Sequence, residues 1–163
     1  MKNLLVALVL TFLIGCRNIT PEQKLSNIIE TYQNFQQNSD SNYPLGDYSE
    51  SKFEKRAFFC DSLLTQLQAL NPNTLKEDDK ISYKLLEFVL NEVVIKYKFK
   101  THWNPILSDA GFHTSLTYQV RPITTKKDAL KYLEKLKAIP LYIQQQTELI
   151  RKGLDAGMGQ PLI

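Results

Sequence analysis

The spacing of apolar residues after residue 20 constrains the fold more than any other feature of the sequence. The first apolar set recurs every three or four residues, as expected for one helix face, and consists of Leu25, Ile28, Ile29, Tyr32 and Phe35. Thr20, Pro21 and Gln23 just before it are typical of an N-cap, a first helical position and a capping box. The pattern predicts a helix from Pro21 to about Asn38.

The same period predicts two further helices in the first half of the chain. The second runs from Ser51 to the Asn-Pro-Asn turn at 71–73, with one apolar stripe formed by Phe53, Ala57, Cys60, Leu64 and Leu67. The third runs to about Tyr97 from a capping box at Thr74 and Glu77. It carries two apolar stripes, one formed by Ile81, Leu85, Phe88 and Val89 and the other by Leu86, Leu90, Val93 and Val94. Two apolar faces predict a central, buried helix.

Two more helices are predicted after an irregular connector at 101–122. Thr125 and Asp128 offer an N-cap for a helix to Ala138, and Pro140 is expected to interrupt the chain before a fifth helix at 141–154. The stripe of the fifth helix would consist of Ile143, Thr147, Ile150 and Leu154. Because the helix starts have no fixed spacing, the sequence predicts an all-α fold, an irregular array of about five helices, rather than a tandem repeat.

Length and charge narrow the class of protein. With 163 residues, the chain has the size of a single domain. Its net charge of +3, from 20 Lys+Arg and 17 Asp+Glu, is small and evenly spread. A nucleic-acid partner would require a basic stripe or a much higher local charge, so nucleic acid is excluded as a partner.

The amino terminus has the pattern of a processing signal. Lys2 precedes an apolar run at 4–14, which is too short for a membrane span of about 20 residues. Leu-Ile-Gly-Cys at 13–16 is similar to the lipobox of bacterial lipoproteins, in which the cysteine thiol receives a diacylglycerol. We therefore expect residues 1–15 to be a cleaved lipoprotein signal peptide, lipidated Cys16 to attach the chain to the membrane, and the protein to be lipid-anchored in the bacterial cell envelope, facing the periplasm or in the outer membrane. The alternative is an ordinary secretory peptide cleaved elsewhere.

No catalytic or metal-binding motif is found in the sequence. The histidines His102 and His113 are not in an H-x-x-x-H pattern, and there is no C-x-x-C, G-x-S-x-G or P-loop. Cys60, on an apolar stripe, is expected to be an inert core thiol. The sequence therefore offers no catalytic residue, no metal ligand and no cofactor site of its own.

A resemblance begins in the connector. Three segments carry it: Asn104–Thr114 (NPILSDAGFHT), the segment at 121–136 (RPITTKKDALKYLEKL), and the tail from Ile139 to Pro161, which ends in LIRKGLDAGMGQP. In order and spacing, they resemble the amino-terminal half of the bacterial family called domain of unknown function 885. The resemblance covers roughly Thr20 to Ile163. It implies a large, mainly helical protein that is often secreted or lipid-anchored and is thought to be a zinc metallopeptidase of the gluzincin type.

In that family the zinc-binding H-E-x-x-H helix lies several hundred residues further on, so the resemblance transfers no catalytic residue to this chain. It implies zinc, and a peptide substrate, only for the full-length form. The transferable part is the helical amino-terminal region. Its candidates for substrate contact are Gly111, Phe112, His113 and Arg121.

Three hypotheses follow. In the first, residues 16–163 are the helical amino-terminal region of a larger, lipid-anchored metallopeptidase domain that this sequence leaves incomplete, and apolar stripes remain poorly buried without their partner helices. In the second, the chain is a free-standing small helical envelope lipoprotein that acts as a binding or scaffolding module. In the third, it is an intact small hydrolase with an unrecognised site.

Overall fold

The fold is all-α, as the sequence predicts. The computed structural model describes residues 19–37, 40–107, 110–119 and 121–159, and the expected signal peptide at 1–15 and Cys16 lie outside these ranges. The helices are α1 (Pro21–Gln37), α2 (Glu50–Gln68), α3 (Glu77–Lys98), α4 (Phe112–Ser115) and α5 (Lys126–Asp155). Two short antiparallel strands, β1 (Ile106–Leu107) and β2 (Ala110–Gly111), pair in the connector, with Ile106 opposite Gly111. Short 3-10 turns lie at Pro72–Thr74, Thr101–Trp103 and Leu116–Gln119.

Two of the three predicted helix N-caps are confirmed, and both form capping boxes. At α1, the Thr20 hydroxyl accepts from the Gln23 N–H, and the Gln23 side chain accepts from the Thr20 N–H. At α5, Thr125 and Asp128 make the corresponding reciprocal pair. These contacts satisfy backbone donors that no helical carbonyl can reach.

The capping box predicted at Thr74 is wrong. Asn71 caps the 3-10 turn through its side chain, and the Thr74 hydroxyl donates to the Asn71 carbonyl at 2.7 Å. The hydroxyl is thus already engaged in the turn. Helix α3 begins at Glu77 instead, with Lys76 as an N-cap that makes no side-chain hydrogen bond.

The predicted break at Pro140 is also wrong, because α5 continues through it from Lys126 to Asp155. A proline inside a helix removes one backbone hydrogen bond, here to the carbonyl of Leu136, and costs about 3 kcal/mol in general. Both Leu136 and Pro140 are exposed, so water can reach the released carbonyl. The predicted fourth and fifth helices are therefore one helix.

The core lies between α1, α2 and α3. It contains Leu25, Ile28, Cys60, Leu63, Leu64, Leu67, Leu70, Leu75, Tyr83, Leu86 and Leu90. Cys60 is fully buried, and burial raises the pKa of its thiol, which confirms its predicted place on the apolar stripe of α2. No helix of the described ranges is long and apolar enough to span a membrane.

Helix α3 is not central, contrary to the prediction. It packs with one face only, through Tyr83, Leu86 and Leu90. The other stripe lies in solvent, with Ile81, Leu85 and Phe88 exposed at 68%, 63% and 67%. Among the described residues, α1 and α2 both pack on the same side of α3 and leave the opposite side uncovered.

The predicted stripe of the last helix is also wrong. The buried residues of α5 are Tyr142, Gln145, Gln146, Leu149 and Gly153, whereas Ile143 and Leu154 are exposed. Hydrogen bonding explains the choice of face: Gln145 accepts from the Tyr48 N–H at 3.0 Å and donates to Asp47 at 3.0 Å. A buried glutamine with both ends paired is tolerated in a core, which apolar periodicity cannot reveal.

Candidate functional site

The carboxylate of Glu50 connects three separate parts of the chain. Glu50 is the first residue of α2, where the N-cap Ser49 accepts a hydrogen bond from the Lys52 N–H. Its carboxylate accepts from Trp103 Nε1 at 2.6 Å and contacts His102 Nε2 at 3.2 Å. Lys100 and Lys152 place their Nζ atoms 3.4 Å from the same group. The Glu50 carboxylate therefore joins three segments, namely helix α2, the turn after α3 and the end of α5.

The environment keeps Glu50 ionised. Burial by itself would raise its pKa, but the Trp103 hydrogen bond and the interactions with His102 and Lys152 outweigh burial and lower the pKa to about 2. A carboxylate at a helix N-terminus is also favoured by the helix dipole. Glu50 thus carries a full negative charge at neutral pH.

His102 is held in its neutral form between two aromatic rings. Its ring stacks on Phe53, with centroids 4.4 Å apart, and on Tyr97, with centroids 5.5 Å apart. Burial lowers the His102 pKa, and it outweighs the opposite effect of Glu50. Because a carboxylate only accepts hydrogen bonds, the neutral ring must carry its proton on Nε2 and donate to Glu50.

Lys100 adopts a backbone conformation that residues other than glycine rarely adopt. Its φ of 53° and ψ of 33° lie in the left-handed region directly after α3. A non-glycine residue there costs of the order of 1 kcal/mol. The Lys100 ammonium lies 3.6 Å from the Tyr97 ring centroid and also contacts Glu50. These contacts offset the strain and fix the turn that presents His102 and Trp103.

An aromatic cleft of about 280 Å³ lies beside this cluster. Its lining residues are Tyr48, Phe53, His102, Pro105, Gly111, Phe112, Ser115, Tyr142, Gln146 and Leu149. The Tyr142 hydroxyl donates to the Phe112 carbonyl at 3.1 Å and lies 2.8 Å from the Ser115 hydroxyl, which fixes the connector against α5. An apolar, open cleft with little polar surface is suited to holding an apolar side chain.

The four predicted contact residues do not form one site. Gly111 and Phe112 line the cleft. A Cβ atom at Gly111 would lie 2.8 Å from the Pro105 carbonyl oxygen, so the connector needs glycine here to close. His113 is exposed and packs edge-on against Phe112. Arg121 lines a separate shallow pocket of about 170 Å³ at the start of α5.

Sequence reasoning missed Glu50, Tyr48 and Tyr142. Tyr48 and Glu50 follow a loop with no sign of chemistry, and Tyr142 lies on a helix face that apolar spacing does not select. The available signal was His102-Trp103: a buried histidine and indole both need hydrogen-bond partners. That requirement does not identify the partner.

The residues of the site do not match the zinc ion that the family resemblance implies. In the described part of the chain, no three His, Cys, Asp or Glu side chains lie together in a way that could hold a metal ion. Of the polar groups that line the cleft, His102 contacts Glu50, and the Tyr142 and Ser115 hydroxyls contact each other and the Phe112 carbonyl. The described residues therefore do not fit zinc.

The geometry first defines a class of protein. It is an all-α domain in which a long helix and an irregular connector form an aromatic cleft beside a partly buried carboxylate. The chain belongs to the bacterial family of unknown function DUF885, whose family model matches residues 29–163. The matched span includes the cleft and the Glu50 cluster. No curated protein matches the chain. No solved structure matches it either.

Proposed function

We propose that this chain is the helical, non-catalytic amino-terminal part of a lipid-anchored envelope metallopeptidase, and that its aromatic cleft contacts the peptide substrate. The observation that carries the proposal is the cleft itself. It is built from the connector, which lies within the family match and contains Gly111 and Phe112. Its volume of about 280 Å³ suits one or two apolar side chains of a peptide.

In this proposal the cleft contacts the peptide substrate, and other parts of the protein would hold the metal. Phe112, Tyr48 and Tyr142 supply aromatic walls, and Tyr48 meets Tyr142 edge-on at 5.1 Å between ring centroids. His113 is exposed beside the cleft and would contact the peptide backbone or a polar side chain. Arg121, in its separate pocket, would contact a more distant part of the substrate. Catalysis is assigned to an H-E-x-x-H helix outside these residues.

Membrane attachment is the first testable part of the proposal. It rests on the small residue and cysteine that follow the apolar run at 4–14. We expect Cys16→Ser to abolish incorporation of radiolabelled palmitate. Cys60→Ala, at the other cysteine of the chain, should leave labelling unchanged. Equal labelling of wild type and Cys16→Ser would contradict lipidation at this residue.

The peptidase assignment is tested at the native gene. We expect the DNA beyond the Ile163 codon, read in all frames over several hundred codons, to encode an H-E-x-x-H motif in frame or after a single shift. The restored product should bind zinc and cleave peptides, and Glu→Gln in that motif should abolish cleavage. A stop codon at that point with no such motif downstream would refute the peptidase assignment.

One observation favours a second function. The core between α1, α2 and α3 is contiguous, with Leu25, Leu67 and Leu90 at most 1% exposed. A core of this kind supports a free-standing helical lipoprotein that uses the cleft for binding or scaffolding. The gene sequence beyond Ile163 decides between the two functions, since the second requires no catalytic half.

A further inference from the structure

The outer face of α3 is an apolar stripe with the spacing of a helix–helix seam. Positions four and three residues apart alternate along it, and they are Ile81, Leu85, Phe88, Glu92, Ile95 and the C-cap residue Phe99. Every apolar member is exposed, from 41% at Ile95 to 68% at Ile81. The stripe lies opposite the core-facing residues Leu86 and Leu90. We refer to these six residues as the α3 seam.

The residues that flank the α3 seam are basic or neutral. In heptad terms they occupy the e and g positions, and they are Ser82, Lys84, Val89, Asn91, Lys96 and Lys98. Lys96 pairs with Glu92 at 2.8 Å, whereas Lys84 and Lys98 make no ion pair with any described residue. Between Ile81 and Phe99 the flanks therefore carry three lysines and no acid, while the acidic residues Glu77 and Asp78 lie at the amino-terminal end of the stripe.

We propose that the α3 seam docks an amphipathic helix whose own apolar stripe is flanked by acidic residues. The alternating spacing matches knobs-into-holes packing against another helix. The lysine flanks require acidic residues on the partner, because charges at e and g positions select the partner by complementarity. This inference does not depend on the peptidase assignment.

Charge also disfavours two other occupants of the α3 seam, a second copy of the chain and a lipid surface. A second copy packed antiparallel on this face would place Lys84 against Lys98 of the other copy, and like charges across a seam repel. A lipid surface would have to bury Glu92, which lies in the stripe itself and is 46% exposed. Burying a carboxylate in acyl chains is costly. Against a helix, the Glu92–Lys96 pair can instead face a basic residue of the partner.

A synthetic helix tests the proposal. The probe has about three heptads, with Leu at a and d, Glu at e and g, and one Lys at the position that faces Glu92. The protein is the full chain carrying Cys16→Ser, so that no acyl chain takes part. We expect fluorescence anisotropy to give at least about tenfold tighter binding for this peptide than for a peptide with Lys at e and g.

Matched variants distinguish binding at the α3 seam from nonspecific hydrophobic binding. Leu85→Gln with Phe88→Gln should weaken binding at least about tenfold, while Leu133→Gln with Leu136→Gln on α5 should leave it unchanged. All four residues are exposed, so both variants should keep the wild-type melting temperature. Lys84→Glu with Lys98→Glu should reverse the preference between the two peptides.

Three results would overturn the proposal. The first is equal affinity for the acidic and basic peptides, or binding of neither. The second is a dimer in analytical ultracentrifugation that the Leu85→Gln, Phe88→Gln variant abolishes, which would make a second copy the occupant. The third is seam-dependent binding to vesicles that contain phosphatidylglycerol, which would make the occupant a lipid surface.

Discussion

Replacing Glu50 with alanine is expected to lower the free energy of unfolding by about 3 kcal/mol, because its four partners, Trp103, His102, Lys100 and Lys152, lose the charge that holds them together. The Trp103 indole and His102 would keep partly buried donors without an acceptor, and Lys100 would keep its left-handed strain without the contact to Glu50. Urea unfolding at pH 7 measures the loss. Trp103 fluorescence gives a second readout, since its indole N–H donates directly to the carboxylate.

Two control variants make the Glu50 result specific. Glu54→Ala, one turn further along α2 at an exposed position, should change stability by less than about 0.5 kcal/mol. Glu50→Gln keeps an acceptor for Trp103 but removes the charge, so it should fall between wild type and Glu50→Ala. An equal loss in Glu50→Ala and Glu54→Ala would mean that the carboxylate does not join the three segments.

The pH dependence of stability follows from the same group. The Glu50 pKa is about 2 in the folded chain against 4.5 as its ordinary value. The folded state therefore binds its proton less readily than the unfolded state, so the stabilisation is complete above pH 4.5 and is lost as the pH falls towards 2. After a discount for the solvent that reaches Glu50, this amounts to about 2 kcal/mol. Glu50→Gln should lack that part of the acid transition.

His102 adds a separate loss at higher pH. Burial lowers its pKa below the ordinary 6.5, so the unfolded state takes up a proton before the folded state does. Stability therefore begins to fall as the pH drops below 6.5. His102→Gln should remove this earlier loss while leaving the loss between pH 4.5 and 2 in place.

Local signals in the sequence predicted the helices well, and tertiary contacts account for the errors. Thr20 and Thr125 cap their helices as predicted because each cap depends only on residues three positions away. Pro140 was predicted to break a helix because its local cost is large, yet solvent reaches the carbonyl it releases. Periodicity detected both apolar stripes of α3 but could not tell which one the rest of the chain covers.

The candidate site was predicted only in part, for a related reason. Gly111 and Phe112 were chosen from the connector, and they do line the cleft. The residues opposite them, Tyr48 and Tyr142, lie 94 positions apart in the sequence, and Glu50 meets Trp103 across 53 positions. No local pattern encodes such pairings. They follow from how the end of α5 and the start of α2 meet at the connector.

The second large effect is expected at Gly153, where α5 meets the turn that carries Trp103. Gly153→Ala should lower the free energy of unfolding by about 3 kcal/mol. Alanine normally stabilises a helix interior by about 1 kcal/mol over glycine. At Gly153, however, a Cβ atom would overlap the Trp103 backbone carbonyl, whose carbon would be only 3.2 Å away, and backbone cannot yield as a flexible side chain can. The steric cost therefore exceeds the helix gain.

Gly159→Ala is the matched control, because its Cβ would meet only Leu154 at 3.8 Å. Thermal unfolding of both variants checks the prediction, and a Gly153→Ala protein as stable as wild type would show that α5 does not pack this closely on the Trp103 turn.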